Sequence, residues 1–264
     1  MTTSRHRLEC AEIWSGSDRT ACLLELPGLL VWVYSAPVGA GEAGGDIHYV
    51  SRCPSCIVCR VALADVSGHG QSVSALAERI RDLLRRYLTE LGQGGLMSDL
   101  NHAVQQLDGV HYATMAAVGW HSRRGLLVLT NAGHPPPCLF RLAGGGWSWL
   151  EPRGAGGRGR VPVGVPLGLF ADVEYPPIIV KPQDGDLLVL YSDGVSEARS
   201  PADGELGRQA LIDLLRALDP SSADAVGRQL TRALRAFRGG RPADDDETII
   251  VLQKVPNPAH PEHA

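Results

Sequence analysis

Short apolar runs separated by glycine- and proline-bearing turns dominate this chain, and they predict strands in hairpin-like clusters. Residues 21–26 and 29–34 flank Pro27-Gly28, a turn signal between two strands. Residues 57–64 form a nearly continuous apolar run that ends at Asp65. Residues 114–120 and 126–130 flank a polar turn over 121–125, a second hairpin. Residues 177–180, 187–191 and 248–252 complete the set of predicted strands. Residues 1–25 read as a short N-terminal extension supplying a first strand to a domain that spans 26–255.

Helical spacing replaces alternation in two paired regions. Val73, Leu76, Ala77, Ile80, Leu83, Leu84, Tyr87, Leu88 and Leu91 form one apolar stripe, with arginines on the opposite face. Ser98 can cap a shorter helix carrying Leu100, Ala103, Val104 and Leu107. Nearer the C-terminus, Leu211, Leu214, Leu215 and Leu218 form one stripe, and Val226, Leu230, Ala233, Leu234 and Phe237 another. Ser221 with Asp224 resembles a capping box opening the last helix. Strands in clusters and helices in pairs predict an α+β layered fold over a doubly wound parallel sheet. The Gly/Arg-rich segment 143–160 lacks periodicity and reads as a mobile surface loop, and 256–264 as a disordered tail.

Composition narrows the function classes. The chain has 264 residues, 44% of them hydrophobic and 20% charged, enough apolar content for a sizeable core. The formal net charge of -4 offers no long-range attraction for nucleic acid or for anionic lipid. No stretch approaches the ~20 apolar residues of a membrane-spanning helix. The N-terminus lacks the apolar core of a signal peptide, so the expected location is cytoplasmic. The six cysteines are then expected to be reduced thiols. Cys53-Pro-Ser-Cys56-Ile-Val-Cys59 lacks the fourth thiolate of a zinc or iron–sulfur site and reads as a turn followed by a buried strand residue.

Candidate chemistry lies in acidic residues placed where strands meet loops. Asp46 follows Gly44-Gly45, Asp65 ends an apolar run, and Asp193 ends another in Tyr191-Ser192-Asp193-Gly194. Asp244-Asp245-Asp246-Glu247 directly precedes the last predicted strand. Carboxylates converging without basic partners repel one another and call for a cation, and hard divalent ions take oxygen ligands. Each such residue alone is more often a turn or a solvated charge cluster. The Asp244–Glu247 run also lacks the spacing of an EF-hand loop, and no Gly-x-Ser-x-Gly elbow is present.

Taken in order, these segments resemble the SpoIIE-type branch of the metal-dependent protein phosphatases, the PPM superfamily. The matching pieces are Gly44-Gly45-Asp46, Ala64-Asp65-Val66-Ser67-Gly68-His69-Gly70, Asn131-Ala132-Gly133-His134-Pro135, and Val165-Pro166-Leu167-Gly168. They continue with Gly185-Asp186-Leu187, Tyr191-Ser192-Asp193-Gly194 through Ala198, and Asp245-Asp246-Glu247-Thr248. The resemblance implies a four-layer αββα sandwich, two antiparallel sheets flanked by helix pairs. It implies hydrolysis of phosphoserine or phosphothreonine by water activated between two Mn²⁺ or Mg²⁺ ions.

By motif, Asp65 would bridge the metals and the Val66 carbonyl would join one of them. Asp46 would serve the second metal, and Asp193 and Asp245 the first, with Asp246 as the alternative to Asp245. His69 is the candidate general acid, and His134, between glycine and prolines, reads as a rigid turn residue. Two positions depart from the family pattern. Tyr49 stands where many relatives carry an acidic residue, and Glu247 where they carry an apolar one. The implied partner is a phosphorylated regulatory protein, such as a STAS-type anti-sigma-factor antagonist, with a homodimer open. The alternative reading is a catalytically weak or inactive module that keeps the fold and binds a signalling partner.

Overall fold

Continuous apolar runs in this chain are strands buried on both faces. The computed structural model describes residues 3–38, 44–67, 71–106, 112–151, 164–202 and 204–257. It opens with β1 (Ser4–Arg7), β2 (Ile13–Gly16), β3 (Thr20–Leu26), β4 (Leu29–Ala36), β5 (Asp46–Arg52) and β6 (Val58–Val66). Helices α1 (Gln71–Arg86) and α2 (Gly94–Gln105) follow, then β7 (Ala113–His121), β8 (Leu126–Ala132), β9 (Cys138–Arg141) and β10 (Gly146–Trp149). The remainder is β11 (Ile178–Val180), β12 (Leu187–Tyr191), α3 (Asp193–Ser196), β13 (Arg199–Ser200) and β14 (Gly204–Glu205). It ends with α4 (Gly207–Ala217), α5 (Ala223–Phe237) and β15 (Glu247–Lys254).

The strands form a seven-stranded sheet ordered β1-β3-β4-β15-β12-β9-β10 and a six-stranded sheet ordered β11-β8-β7-β6-β5-β2. Pairing is antiparallel in both, apart from the parallel edge pair β1 and β3. Alternation in β4 and β6 shows how the layers assemble. Val31 and Val33 meet Val61 and Leu63 between the two sheets. The alternate residues Trp32 and Tyr34 face α4 and α5, while Ala62 and Ala64 face α1 and α2. The result is the αββα sandwich. Among the described residues no helix is long and apolar enough to cross a membrane.

Several local expectations are corrected. Helix α2 begins at Gly94, before Ser98, and the preceding Gln93 donates its side-chain amide to the sheet, to Ala117 O and Val128 O at 2.8 Å each. The cap of α5 is Ser222, whose hydroxyl accepts the Ala225 N–H at 3.1 Å, whereas Ser221 donates to Asp219 at 2.8 Å. Within the segment read as a loop, β10 pairs with β9, and Trp147 packs on Phe140 with ring centroids 5.3 Å apart. Residues 152–163 and 258–264 lie outside the described residues.

The cysteines are not all reduced. Cys10 and Cys56 form a disulfide, while Cys22, Cys53, Cys59 and Cys138 are free and buried. Pairing of β2 with β5 carries the loop after β1 onto the turn before β6, a juxtaposition that sequence spacing does not reveal. In that turn, burial disfavours the Cys53 thiolate. The Ser55 hydroxyl and the N–H groups of Val58, Ile57 and Ser55 outweigh this and lower its pKa.

Candidate active site

Cross-strand pairing brings the first two carboxylates together, since Asp46 and Asp65 are direct partners on β5 and β6. Strand β6 runs on through Val66, so Asp65 sits inside its last turn of pleat rather than beyond its end. The Val66 N–H donates to Gly45 O at 3.3 Å. A Cβ placed on Gly45 would stand 3.1 Å from the Val66 carbonyl oxygen and 3.4 Å from an Asp65 carboxylate oxygen. Glycine therefore lets loop 44–45 close over the end of the sheet. Ser67 pins the next residue, its hydroxyl donating to Tyr112 O at 2.8 Å.

The second pair of carboxylates comes from the seven-stranded sheet. Strand β12 ends opposite Ile249, and the chain turns through Ser192 into α3, which starts at Asp193. Ser192 clasps the two segments. Its N–H donates to Thr248 O at 3.0 Å, its hydroxyl accepts the Thr248 N–H at 2.9 Å, and that hydroxyl donates to Asp246 O at 3.2 Å. A Cβ on Gly194 would lie 2.2 Å from the Asp246 carbonyl oxygen and 3.3 Å from Asp245 Cβ. Only glycine permits that approach of Asp193 to Asp245.

Asp246 joins the two sheets. One carboxylate oxygen accepts the Val38 N–H at 2.7 Å and the other the Gly45 N–H at 2.6 Å, with the Asp46 N–H at 3.4 Å. Its side chain is thus committed to backbone, while Asp245 accepts the adjacent Asp246 N–H at 2.8 Å. Glu247, one residue on, is buried in an ion pair with Arg238 from the end of α5. Tyr49 lies on the opposite face of β5 from Asp46, fully buried against α1 and α2. Position 49 therefore adds nothing to the carboxylate cluster.

Burial, then repulsion by Asp193, Asp245, Asp246 and Glu197, pushes the Asp65 carboxyl up to about 7. Burial pushes Asp46 well above the usual carboxylate range. The hydroxyls of Ser192 and Thr248 offset part of this, and the charges of Asp65 and Asp246 add to it. Asp193 is raised by burial and by Asp245. Glu197, at the end of α3, is raised by burial and by Asp193. Among the described residues Asp46, Asp65 and Asp193 form no ion pair.

A buried Asp46 oxygen, Oδ2, also has no hydrogen-bond partner among the described residues. An all-oxygen donor set with an orphaned carboxylate oxygen and mutual repulsion fits a hard divalent cation. Among the described residues no three such side chains alone are close enough to enclose an ion. The Val66 carbonyl and water are the further oxygens such an ion accepts.

His134 lies behind this cluster. Its Nδ1 is 2.8 Å from the Thr114 hydroxyl, and Thr114 is the cross-strand neighbour of Asp65. Asn131 holds the turn, accepting the His134 N–H at 2.9 Å and donating to His134 O at 3.0 Å. Burial pulls the His134 ring down to about 3, so it is neutral at pH 7. His69 lies outside the described residues.

The sequence profile described as Stage II sporulation protein E (SpoIIE) matches residues 58–255, about three quarters of the chain. The chain belongs to the SpoIIE family. Within the range of this SpoIIE match lie Asp65, Asp193 and Asp245, while Asp46 lies before it. The phosphoserine phosphatase RsbU of Bacillus subtilis (strain 168) is 26% identical over 221 residues, covering 83% of this chain and 62% of RsbU. The chain thus spans less than two thirds of that relative. The structure of the RsbU and RsbW domains of Rv1364c from Mycobacterium tuberculosis superposes with a TM-score of 0.68 at 23% identity. It covers 87% of this chain and 61% of that one. RsbX in complex with magnesium gives a TM-score of 0.63 at 15% identity, covering 89% and 99%.

Proposed function

We propose that this SpoIIE-family chain is a metal-dependent protein serine/threonine phosphatase acting on a phosphorylated regulatory protein. The observation that carries this reading is the gathering of Asp46, Asp65, Asp193 and Asp245 at one end of the sandwich, where burial and repulsion raise Asp65 to about 7. The name of RsbU, a phosphoserine phosphatase, and the magnesium bound by RsbX support it.

Asp65 and the Val66 carbonyl, with Asp46, Asp193 and Asp245, would hold two Mn²⁺ or Mg²⁺ ions. Bound there, such ions neutralise phosphoryl charge and acidify water. The chain's own part is to fix these oxygens. Asp246 locks loop 44–45 to the start of β15, Ser192 locks Asp193 to the same strand, and Ser67 steadies the segment carrying the Val66 carbonyl. Neutral His134 buttresses Thr114 beside Asp65 without adding a competing positive charge. His69 is the candidate proton donor to the leaving oxygen.

A p-nitrophenyl phosphate assay tests the reading. Turnover is expected with Mn²⁺, to be abolished by EDTA, and to fall at least about a hundredfold in Asp65→Asn, the order of effect of removing a preorganised electrostatic group. Equal turnover in that variant would overturn it.

A further inference from the structure

Helix α5 carries arginines along the margin where it leaves the seven-stranded sheet uncovered. Arg228, Arg232 and Arg235 recur at helical spacing and share one exposed face. They line a cleft of about 140 Å³ floored by Trp32 and Tyr34 of β4, with Ala21 of β3 beside them. Gly227 sets the depth of this floor, because a Cβ there would lie 2.2 Å from the Trp32 ring, so α5 lies directly on the indole.

Two further observations mark the cleft as more than a wet helix face. The Trp32 indole N–H is buried with no acceptor among the described residues. Arg228 is bound at 2.8 Å by both oxygens of Asp224, but neither Arg232 nor Arg235 has a carboxylate partner among the described residues. Like charges one turn apart on a helix repel, and an anion bridging them removes that cost. A cationic cleft in a chain of net charge -4 also runs against the general balance.

The cleft lies on the active-site half of the molecule. Tyr34 pairs with Ile249, which is four residues beyond Asp245. Residues 244–245 bend rather than extend, so along the strand axis the cleft begins no more than ~13 Å from Asp245. An extended polypeptide covers that distance in about four residues.

We propose that this cleft docks an acidic segment of the phosphoprotein substrate while the phosphoserine, about four residues away, occupies the aspartate end. This rests on the phosphatase reading above. Guanidinium forks match carboxylates bidentately.

Two measurements on the full chain test it separately from that reading. The first is fluorescence anisotropy with a labelled, unphosphorylated peptide bearing six Asp/Glu residues. Binding is expected, to be absent for the Asn/Gln counterpart, and to weaken about tenfold or more in Arg232→Glu/Arg235→Glu. The second is hydrolysis of a phosphoserine peptide with the acidic run four residues from the phosphoserine. In the double variant KM should rise about tenfold, with kcat and p-nitrophenyl phosphate turnover unchanged, and Arg232→Lys/Arg235→Lys, which keeps the charge and loses the fork, should give a smaller rise. An unchanged melting temperature shows that the exposed substitutions leave the fold intact. Failure of the acidic peptide to bind, or binding insensitive to charge reversal, overturns the docking site. Binding of inorganic phosphate alone overturns it in favour of a small-anion site. Peptide binding without hydrolysis by the wild type strikes the phosphatase reading and leaves the cleft's recognition of acidic chains standing.

Discussion

In metal-free buffer at pH 7.5, the Asp65→Asn protein is expected to unfold at a higher temperature than the wild type, by about 5 °C. Burial first, and then Asp193, Asp245, Asp246 and Glu197, push the Asp65 carboxyl from an ordinary 3.8 up to about 7. A carboxyl whose folded-state pKa is raised costs nothing below its unfolded value, and costs stability as pH climbs through the folded one. Asparagine keeps the shape without the charge. The gain of the variant should therefore be absent near pH 4, grow between pH 4 and 7, and level off above.

A contribution of about 2 kcal/mol, discounted for water reaching the site, corresponds to ~4–8 °C in a domain of this size. Millimolar Mn²⁺ should reverse the order, because the ion stabilises only the protein that binds it, by about 2.7 kcal/mol at a hundred times Kd. Thermal unfolding with EDTA and with Mn²⁺ reads both effects. An Asn variant less stable than wild type in EDTA would show that the cluster is not held under repulsion.

The second large effect concerns Arg238 and Glu247. This pair is buried, with side-chain exposures of 8% and 3%, and it fastens the end of α5 to the first residue of β15. Removing one partner leaves a buried charge uncompensated, so Arg238→Met should cost about 3–5 kcal/mol in urea unfolding. The double variant Arg238→Met/Glu247→Leu should recover most of that loss, because apolar groups of similar volume replace a buried pair at little cost. Additive losses in the double variant would contradict the pairing. The pair gives Glu247 a structural partner at the end of α5.

Much of this arrangement is legible in the sequence because local chemistry and tertiary role coincide. Asp193 follows an apolar run and precedes Gly194, whose missing side chain is what admits the Asp246 carbonyl. The hairpin of β7 and β8 and the stripes of α4 and α5 follow from periodicity alone. Elements fixed by distant partners were not legible. A first strand is expected within residues 1–25, but β1 is exposed, polar and four residues long, and only its pairing with β3 fixes its position. The Cys10–Cys56 bridge depends on β2 meeting β5, and the clasp of Ser192 on Thr248 and Asp246 on β12 meeting β15. Tyr49 reads as a missing ligand in the sequence, whereas strand alternation turns it to the helix layer and away from Asp46. The close approach of α5 to the sheet depends on Gly227 meeting Trp32, a contact between distant segments.

The most direct test of the central claim is phosphate release from a phosphoserine peptide as Mn²⁺ is titrated into the metal-free protein. The four-aspartate site predicts no release in EDTA, a rate that rises and saturates with Mn²⁺, and no saturating response in Asp193→Asn. Release independent of metal, or none from folded wild type at millimolar Mn²⁺, would contradict it.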